Sequence, residues 1–228
     1  MSAAYKILIV APSWVGDMVM SQTLLKLLKL KHGTNCQIDV LVNSWALDVV
    51  KRMPEVNQVH VNPFGHGEFG LIKRIKLGFS LLTDHYGQCF VLPNALMSAL
   101  VPFFAGISKS TGFVGEMRYG LLNDSYKLDK LALPLMIERF CALANAGQKP
   151  DAIEFPSFSV DTQNQTKVLN RLSLNLLKPV ICLCPAAEYG PAKRWPTAHF
   201  AKLADLLQAK NYQVWIMGSA KDQNIAEE

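Results

Sequence analysis

No stretch of the sequence reaches the ~18 consecutive apolar residues that a membrane-spanning helix needs, and the start, MSAAYKILIV, lacks a basic region followed by a cleavage site. A cytoplasmic protein without a transmembrane segment is therefore expected. No block of about five or six like charges occurs, so no segment reads as a solvated tail. The five cysteines (Cys36, Cys89, Cys141, Cys182 and Cys184) are odd in number and form no C-x-x-C pair. They sit mostly in apolar runs, with Cys182 and Cys184 on one strand face of VICLCPA, and buried thiols in a reducing compartment are expected. His32, His60, His66, His85 and His199 show no metal-ligand spacing, so no metal centre is expected. G-x-S-x-G and G-x-x-x-x-G-K-[ST] are both missing, which removes the α/β-hydrolase and Walker ATPase classes.

What is present is a chain of 228 residues, 50% of them hydrophobic, enough for one large domain or one domain and part of another. Lys and Arg total 23 against 18 Asp and Glu, a net charge of +5. This excess suits anionic small molecules or an acidic lipid surface and falls short of a nucleic-acid footprint. Short β-branched runs, KILIVA (6–11), CQIDVLV (36–42), VNQVHVN (56–62), CFVLP (89–93), VICLCPA (180–186) and QVWIMG (213–218), read as strands. Helical patterns lie between them at Ser21–Lys31, Ser44–Met53, Leu71–Leu82, Ala95–Phe104, Pro134–Ala146 and Thr197–Lys210. Alternating β and α with near-continuous apolar strands predicts an α/β fold, its parallel sheet covered on both faces. The alternation breaks over the polar stretch before Val180 and then restarts. The expected organisation is a first domain at 1–160, a linker at 161–179 and part of a second domain at 180–228.

In such sheets ligands bind outside the carboxyl ends of the strands. PSWVGDMVMSQ follows the first strand there and puts Gly16 and Asp17 in a turn. Asp17 is either a helix cap or a general base beside a cleft. PAAEYGPAKRWP places Lys193 and Arg194 ahead of a helix N-terminus, a pyrophosphate site or else a solvated basic pair. GSAKD offers Asp222 at a strand end, for ribose hydroxyls or for capping. GHGEFG (65–70) is a literal G-x-G-x-x-G, but it follows the third strand, and a flexible loop over the cleft is expected instead. Lys73, Arg74 and Lys76 after it would line the cleft or face solvent. Arg118, in TGFVGEMRYGLLND, would bind an anionic substrate or pair with Glu116.

Taken together, PSWVGDMVMSQ, RMPEVNQV, GHGEFG, VLPN, SALVPFFAGI, TGFVGEMRYGLLND, CPAAEYGPAKRWP and GSAKD closely resemble the ADP-heptose:lipopolysaccharide heptosyltransferase family, from about Ile7 to Asp222. The resemblance is to the members that add the second heptose. It implies a GT-B fold of two Rossmann-like domains, with the acceptor on the first and the nucleotide sugar on the second. It implies inverting transfer of L-glycero-D-manno-heptose from ADP-heptose to the first heptose of the inner core, heptosyl-Kdo2-lipid A, at the membrane face. Residue by residue, Asp17 matches the family's base, Lys193 the lysine at the donor diphosphate and Asp222 an acid at the donor ribose. Arg194 is carried with Lys193, and Gly16, Asn94, Ser98 and Arg118 with the acceptor. No cofactor or nucleic-acid partner is implied, and peripheral association with the inner membrane is a further expectation. The family also implies a longer chain, with a D-S-G-x-x-H-type donor segment beyond Glu228, so that these 228 residues alone should be weakly active or inactive. Transfer onto Kdo2-lipid A and a nucleotide-dependent oxidoreductase are the alternatives.

Overall fold

The computed structural model describes residues 5–65, 68–187 and 190–227. The chain divides into two compact units, Met1–Val160 and Asp161–Glu228. In the first unit β1 (Tyr5–Val10), β2 (Cys36–Asn43), β3 (Val56–Asn62), β4 (Gln88–Val91), β5 (Lys109–Phe113) and β6 (Asp124–Tyr126) form one sheet in the order β3-β2-β1-β4-β5-β6. Every pairing is parallel. Successive side chains of a strand point to opposite faces. In β1, Ile7 and Ile9 therefore join one buried cluster, while Leu8 and Val10 join another. The first cluster is covered by α1 (Val15–His32) and α5 (Met136–Leu143), the second by α3 (Leu71–Ser80) and α4 (Leu96–Phe104). A short α2 (Leu47–Val50) follows β2. The apolar runs of the strands are thus explained by burial on both faces, as the sequence predicts.

Where the elements depart from expectation, a local cause is visible. The turn expected around Gly16 and Asp17 is instead the first turn of α1, which begins at Val15 when the Met18 N–H bonds to the Trp14 carbonyl at 2.9 Å. Glycine is tolerated there because first-turn N–H groups need no intrahelical partner. β5 and β6 carry too few apolar residues to be read from periodicity, and side-chain hydrogen bonds hold them instead. Thr111 Oγ1 donates to Asp124 and accepts from Gln88, at 2.8 and 2.9 Å, and Asn123 accepts from the Ser110 N–H at 2.8 Å. The helix expected to close at Gly147 ends at Leu143, and the Gly147 N–H returns to the Ala142 carbonyl with φ +79°.

A strap returns across the first unit before the boundary. Gln22, fully buried on α1, donates to Glu55 and to the Ser157 carbonyl and accepts from the Ser157 N–H. Burial without such partners would be costly for an amide, so these bonds fix where the strap lies.

The second unit holds two parallel strands, β7 (Val180–Leu183) and β8 (Gln213–Ile216), with α6 (Thr162–Arg171), α7 (Thr197–Ala209) and α8 (Gln223–Glu227). α6 lies inside the stretch expected to be a linker. It forms because Asp161 caps it, accepting from the Asn164 N–H at 2.9 Å. Two strands have little capacity to bury both faces, and Cys182 and Cys184 are exposed rather than buried. Cys36, Cys89 and Cys141 are buried, and burial pushes the Cys89 thiol up to about 12. Native labelling with a thiol-specific reagent at neutral pH should therefore modify Cys182 and Cys184 quickly and leave the other three until the chain is unfolded. Rapid labelling of all five would contradict this fold.

Candidate active site

Loops leaving the carboxyl ends of β1 to β4 enclose a cavity of about 550 Å³ in the first unit. It lies where the strand order reverses between β1 and β4, the position at which open α/β sheets bind ligands. Asp17, Asn94 and Ser98, three of the expected residues, line it. Asn43 and Arg74 also line it, with Met136 and Phe140 as an apolar wall.

Asp17 occupies the third position of α1, and the helix has no side-chain cap. Among the described residues its carboxylate has no hydrogen bond or ion pair, so the capping role is not the one it plays. Burial raises its pKa above the ordinary aspartate value. The positive end of the helix favours a charge there, while partial desolvation disfavours it. A half-buried, unpaired carboxylate facing a cavity can accept a proton from a ligand hydroxyl. Gly16, beside it, is exposed and does not line the cavity, and a Cβ there would meet nothing within 4 Å.

The loop from β3 to α3 forms one wall. Asn43 and Asn62 are paired in register at the ends of β2 and β3. Asn43 donates to the Phe64 carbonyl at 2.8 Å, and Asn62 accepts from the Phe64 N–H at 3.3 Å. The Phe64 ring lies 3.9 Å beneath the guanidinium of Arg74, a buried side chain. Arg74 also donates to the carbonyls of Phe69 and Glu68 at 2.9 Å and of Met97 at 3.3 Å. The described part of the GHGEFG loop is therefore tied down, whereas a flexible loop was expected; its tip, His66 and Gly67, lies outside the described residues. Asn43, Asn62 and Arg74 are the residues that motif reading underrated. The signal was the matching ends of VLVN and VHVN, each an asparagine closing a β-branched run.

Arg118 is not in the cavity. It is 2% exposed and stands behind the opposite wall, donating to the Pro93 carbonyl at 2.6 Å, to the Phe113 carbonyl, and to Asn94 Oδ1 at 3.4 Å. Glu116 does not form a salt bridge with it; its carboxylate accepts from the Leu96 N–H at 2.8 Å and so caps α4. Both residues of the GEMR loop thus hold the Pro93–Leu96 segment that presents Asn94 and Ser98.

In the second unit a cavity of about 300 Å³ is lined by Pro185, Gly218, Ser219 and Asp222. Asp222 accepts from the Ser219 N–H and hydroxyl at 2.8 and 2.7 Å, which holds its carboxyl below the usual range, with Arg194 and Lys221 adding to the effect. Arg194 is thus electrostatically close to Asp222. Lys193 closes a single helical turn, Pro191–Lys193, shortly before α7, and is exposed. Glu188 and Tyr189 of that loop lie outside the described residues. Among the described residues no cluster of three or more His, Cys, Asp or Glu could hold a metal ion, and no helix is long and apolar enough to cross a membrane.

Residues 74–228 match the profile of glycosyltransferase family 9 (heptosyltransferase). The chain belongs to glycosyltransferase family 9. Lipopolysaccharide heptosyltransferase 2 of Escherichia coli K12 is 47% identical over 230 residues, 98% of this chain and 66% of the relative. Lipooligosaccharide heptosyltransferase 2 of Haemophilus ducreyi is 45% identical, over 98% of this chain and again 66% of the relative. The solved structure of E. coli ADP-heptose lipopolysaccharide heptosyltransferase II superimposes with a TM-score of 0.87 at 44% identity, over 97% of this chain and 67% of that one. The chain thus spans about two thirds of the length of these family 9 relatives. Its GT-B type α/β fold and its place among glycosyltransferases agree with the resemblance read from the motifs, and the oxidoreductase alternative is removed. Arg118→Lys should lower stability by about 2 to 3 kcal/mol in a denaturant titration, because a single ammonium replaces a planar fork among buried carbonyls. Unchanged stability would show that Arg118 does not hold the Pro93–Leu96 segment.

Proposed function

We propose that the protein containing this chain transfers L-glycero-D-manno-heptose from ADP-heptose to the first heptose of the lipopolysaccharide inner core. Its acceptor, heptosyl-Kdo2-lipid A, is lipid-linked at the cytoplasmic face of the inner membrane. The similarity to lipopolysaccharide and lipooligosaccharide heptosyltransferases 2, and to the solved E. coli ADP-heptose lipopolysaccharide heptosyltransferase II, supports the substrate pair. The observation that carries the mechanism is the unpaired, half-buried carboxylate of Asp17 on the cavity.

In this reading the acceptor occupies the cavity of the first unit, with its hydroxyl on Asp17 and its other hydroxyls near Asn94 and Ser98. Asp17 takes the hydroxyl proton as the acceptor oxygen forms its bond to the heptose anomeric carbon. The bond from that carbon to the phosphate oxygen breaks on the opposite side, and ADP leaves with the electron pair, so the anomeric configuration inverts. Negative charge growing on the diphosphate needs a cation, the role of Lys193 and Arg194 beside the N-terminus of α7. Asp222 uses one oxygen on Ser219, which leaves the other for a ribose hydroxyl. The second unit is then part of a nucleotide-sugar domain. No cofactor enters this scheme.

Three outcomes test the scheme. In a form extended to the full length of the relatives, Asp17→Asn should cut kcat about 10²- to 10⁴-fold with acceptor KM nearly kept, and should change stability by less than about 1 kcal/mol. A variant that keeps its rate removes Asp17 as the base, and one that loses stability without losing rate assigns it to the helix end. The pH profile follows from the same group. Its folded pKa is raised, so the ionised form costs stability above that pKa, and the cost disappears as pH falls through it. Activity needs the ionised form, so kcat/KM should fall on acidification with a midpoint above the ordinary aspartate value, and Asp17→Asn should abolish that limb. The 228-residue chain alone should transfer heptose weakly or not at all in a radiolabelled-sugar assay.

A further inference from the structure

A different face of the first unit carries chemistry that the transfer scheme does not use. Between Glu68 and Glu116 the only acid is Asp84, whereas Lys73, Arg74, Lys76 and Lys109 fall in the same span. α3 and α4 come from this span and contain no acid at all. They lie side by side and run the same way, since Arg74 meets Met97 at one end and Gly78 meets Val101 and Phe104 at the other.

The buried face of α3 is set by Arg74 and Gly78. Ile72, Lys76 and Phe79, at i, i+4 and i+7, form the stripe on the far side. Ile72 is 70% exposed and Phe79 55%, and on the neighbouring helix Phe103 is 49% exposed. Phe79 and Phe103 each pack edge-on against the half-buried Phe104, with ring centroids 6.1 and 5.3 Å away. The result is an apolar, aromatic surface with lysines and no carboxylate on either helix. Lys73 is bridged to Glu68 at 2.9 Å, so Lys76 is the cation in the middle of the stripe.

We propose that the outer faces of α3 and α4 form a docking surface for an anionic lipid bilayer. The proposal rests on the reading of a lipid-linked acceptor and names the surface that would bring the cavity to it. Aromatic and aliphatic side chains beside lysine suit the headgroup boundary, where apolar groups enter and cations meet anionic lipid. An acidic protein partner would leave four large apolar side chains, counting Leu82 after α3, against a polar surface. The geometry also connects the two sites. Arg74 of α3 and Met97 and Ser98 of α4 line the acceptor cavity, and α3 is about 15 Å long. A bilayer along the helix flank would lie within one helix length of the cavity, a distance that an inner-core sugar can bridge.

The test is co-sedimentation of the purified chain with vesicles of phosphatidylglycerol and phosphatidylcholine in equal parts, against vesicles of phosphatidylcholine alone. Binding is expected only to the anionic vesicles and should weaken as salt is raised. Lys76→Gln should lower the partition coefficient about fivefold, and Phe79→Ser with Phe103→Ser by at least about tenfold. Circular dichroism melts serve as the folding control, and Lys76→Gln carries the test if the double variant unfolds. Equal binding to neutral vesicles, no binding to anionic ones, or unchanged binding by the variants overturns the proposal. So does a dimer, seen by analytical ultracentrifugation, that dissociates in the double variant, because the face would then join two copies of this chain. The assay contains neither donor nor acceptor, so it can fail while heptosyl transfer by the longer form succeeds, and the reverse.

Discussion

Loops at the carboxyl edge of a parallel sheet carry carbonyl groups that no strand can satisfy, and once removed from water each needs a donor. In the first unit two buried guanidinium groups supply the donors around the candidate acceptor cavity. Arg74 gathers the carbonyls of Glu68, Phe69 and Met97 on one wall. Arg118 gathers those of Pro93 and Phe113 on the other. Among the described residues neither has an acid within salt-bridge distance; the partners are backbone dipoles and, for Arg74, the face of Phe64. An arginine suits this role because its charge is not lost on burial and its fork reaches several acceptors at once. The cavity keeps its shape because these walls are fixed, and Asp17 on its lining is left without a hydrogen bond or ion pair among the described residues.

That division of labour explains the position of Asp17. Other acids in comparable places are engaged with backbone N–H groups: Glu116 at α4, Glu138 at α5, Asp161 at α6 and Asp222 at Ser219. Asp17 also stands in a first helical turn, yet α1 leaves it without such a partner among the described residues. An acid held at a helix start, partly desolvated and unpaired, keeps its basicity for a reaction. In the second unit Asp222 is instead bonded to Ser219, with Arg194 and Lys221 near enough to favour its charge.

Much of the architecture was legible in the sequence, because strands buried on both faces must read as apolar runs and five of the six long helical patterns reappear as α-helices, α1 starting earlier and α5 ending sooner than expected. β5 and β6 were not legible, since Thr111, Gln88 and Asp124 hold them through hydrogen bonds that leave no hydrophobic period. α6 lies within the stretch expected to be a linker because its surface is polar, and Asp161 caps its start. Asp17, expected from its motif, and Asn94 and Ser98, expected from the resemblance, line one cavity. Arg118 shows the limit of that approach: an arginine in a glycine-flanked loop looks like an anion ligand, and only burial reveals that its ligands are carbonyls. Arg74 shows the converse, a residue of a basic run whose neighbours face solvent while it turns inward.

Gly78 links features otherwise described apart. A Cβ there would lie 2.5 Å from the Cβ of Phe104 and 2.9 Å from the Val101 carbonyl, so any larger residue must push α3 away from α4. One turn earlier on the same helix, Arg74 reaches across that seam to Met97. A wedge at one end of the seam would act as a lever on the other, prising the guanidinium from its carbonyls and widening the cavity wall. The absence of a single methyl group on α3, one turn from Arg74, thus sets the caliper by which the cavity is gauged.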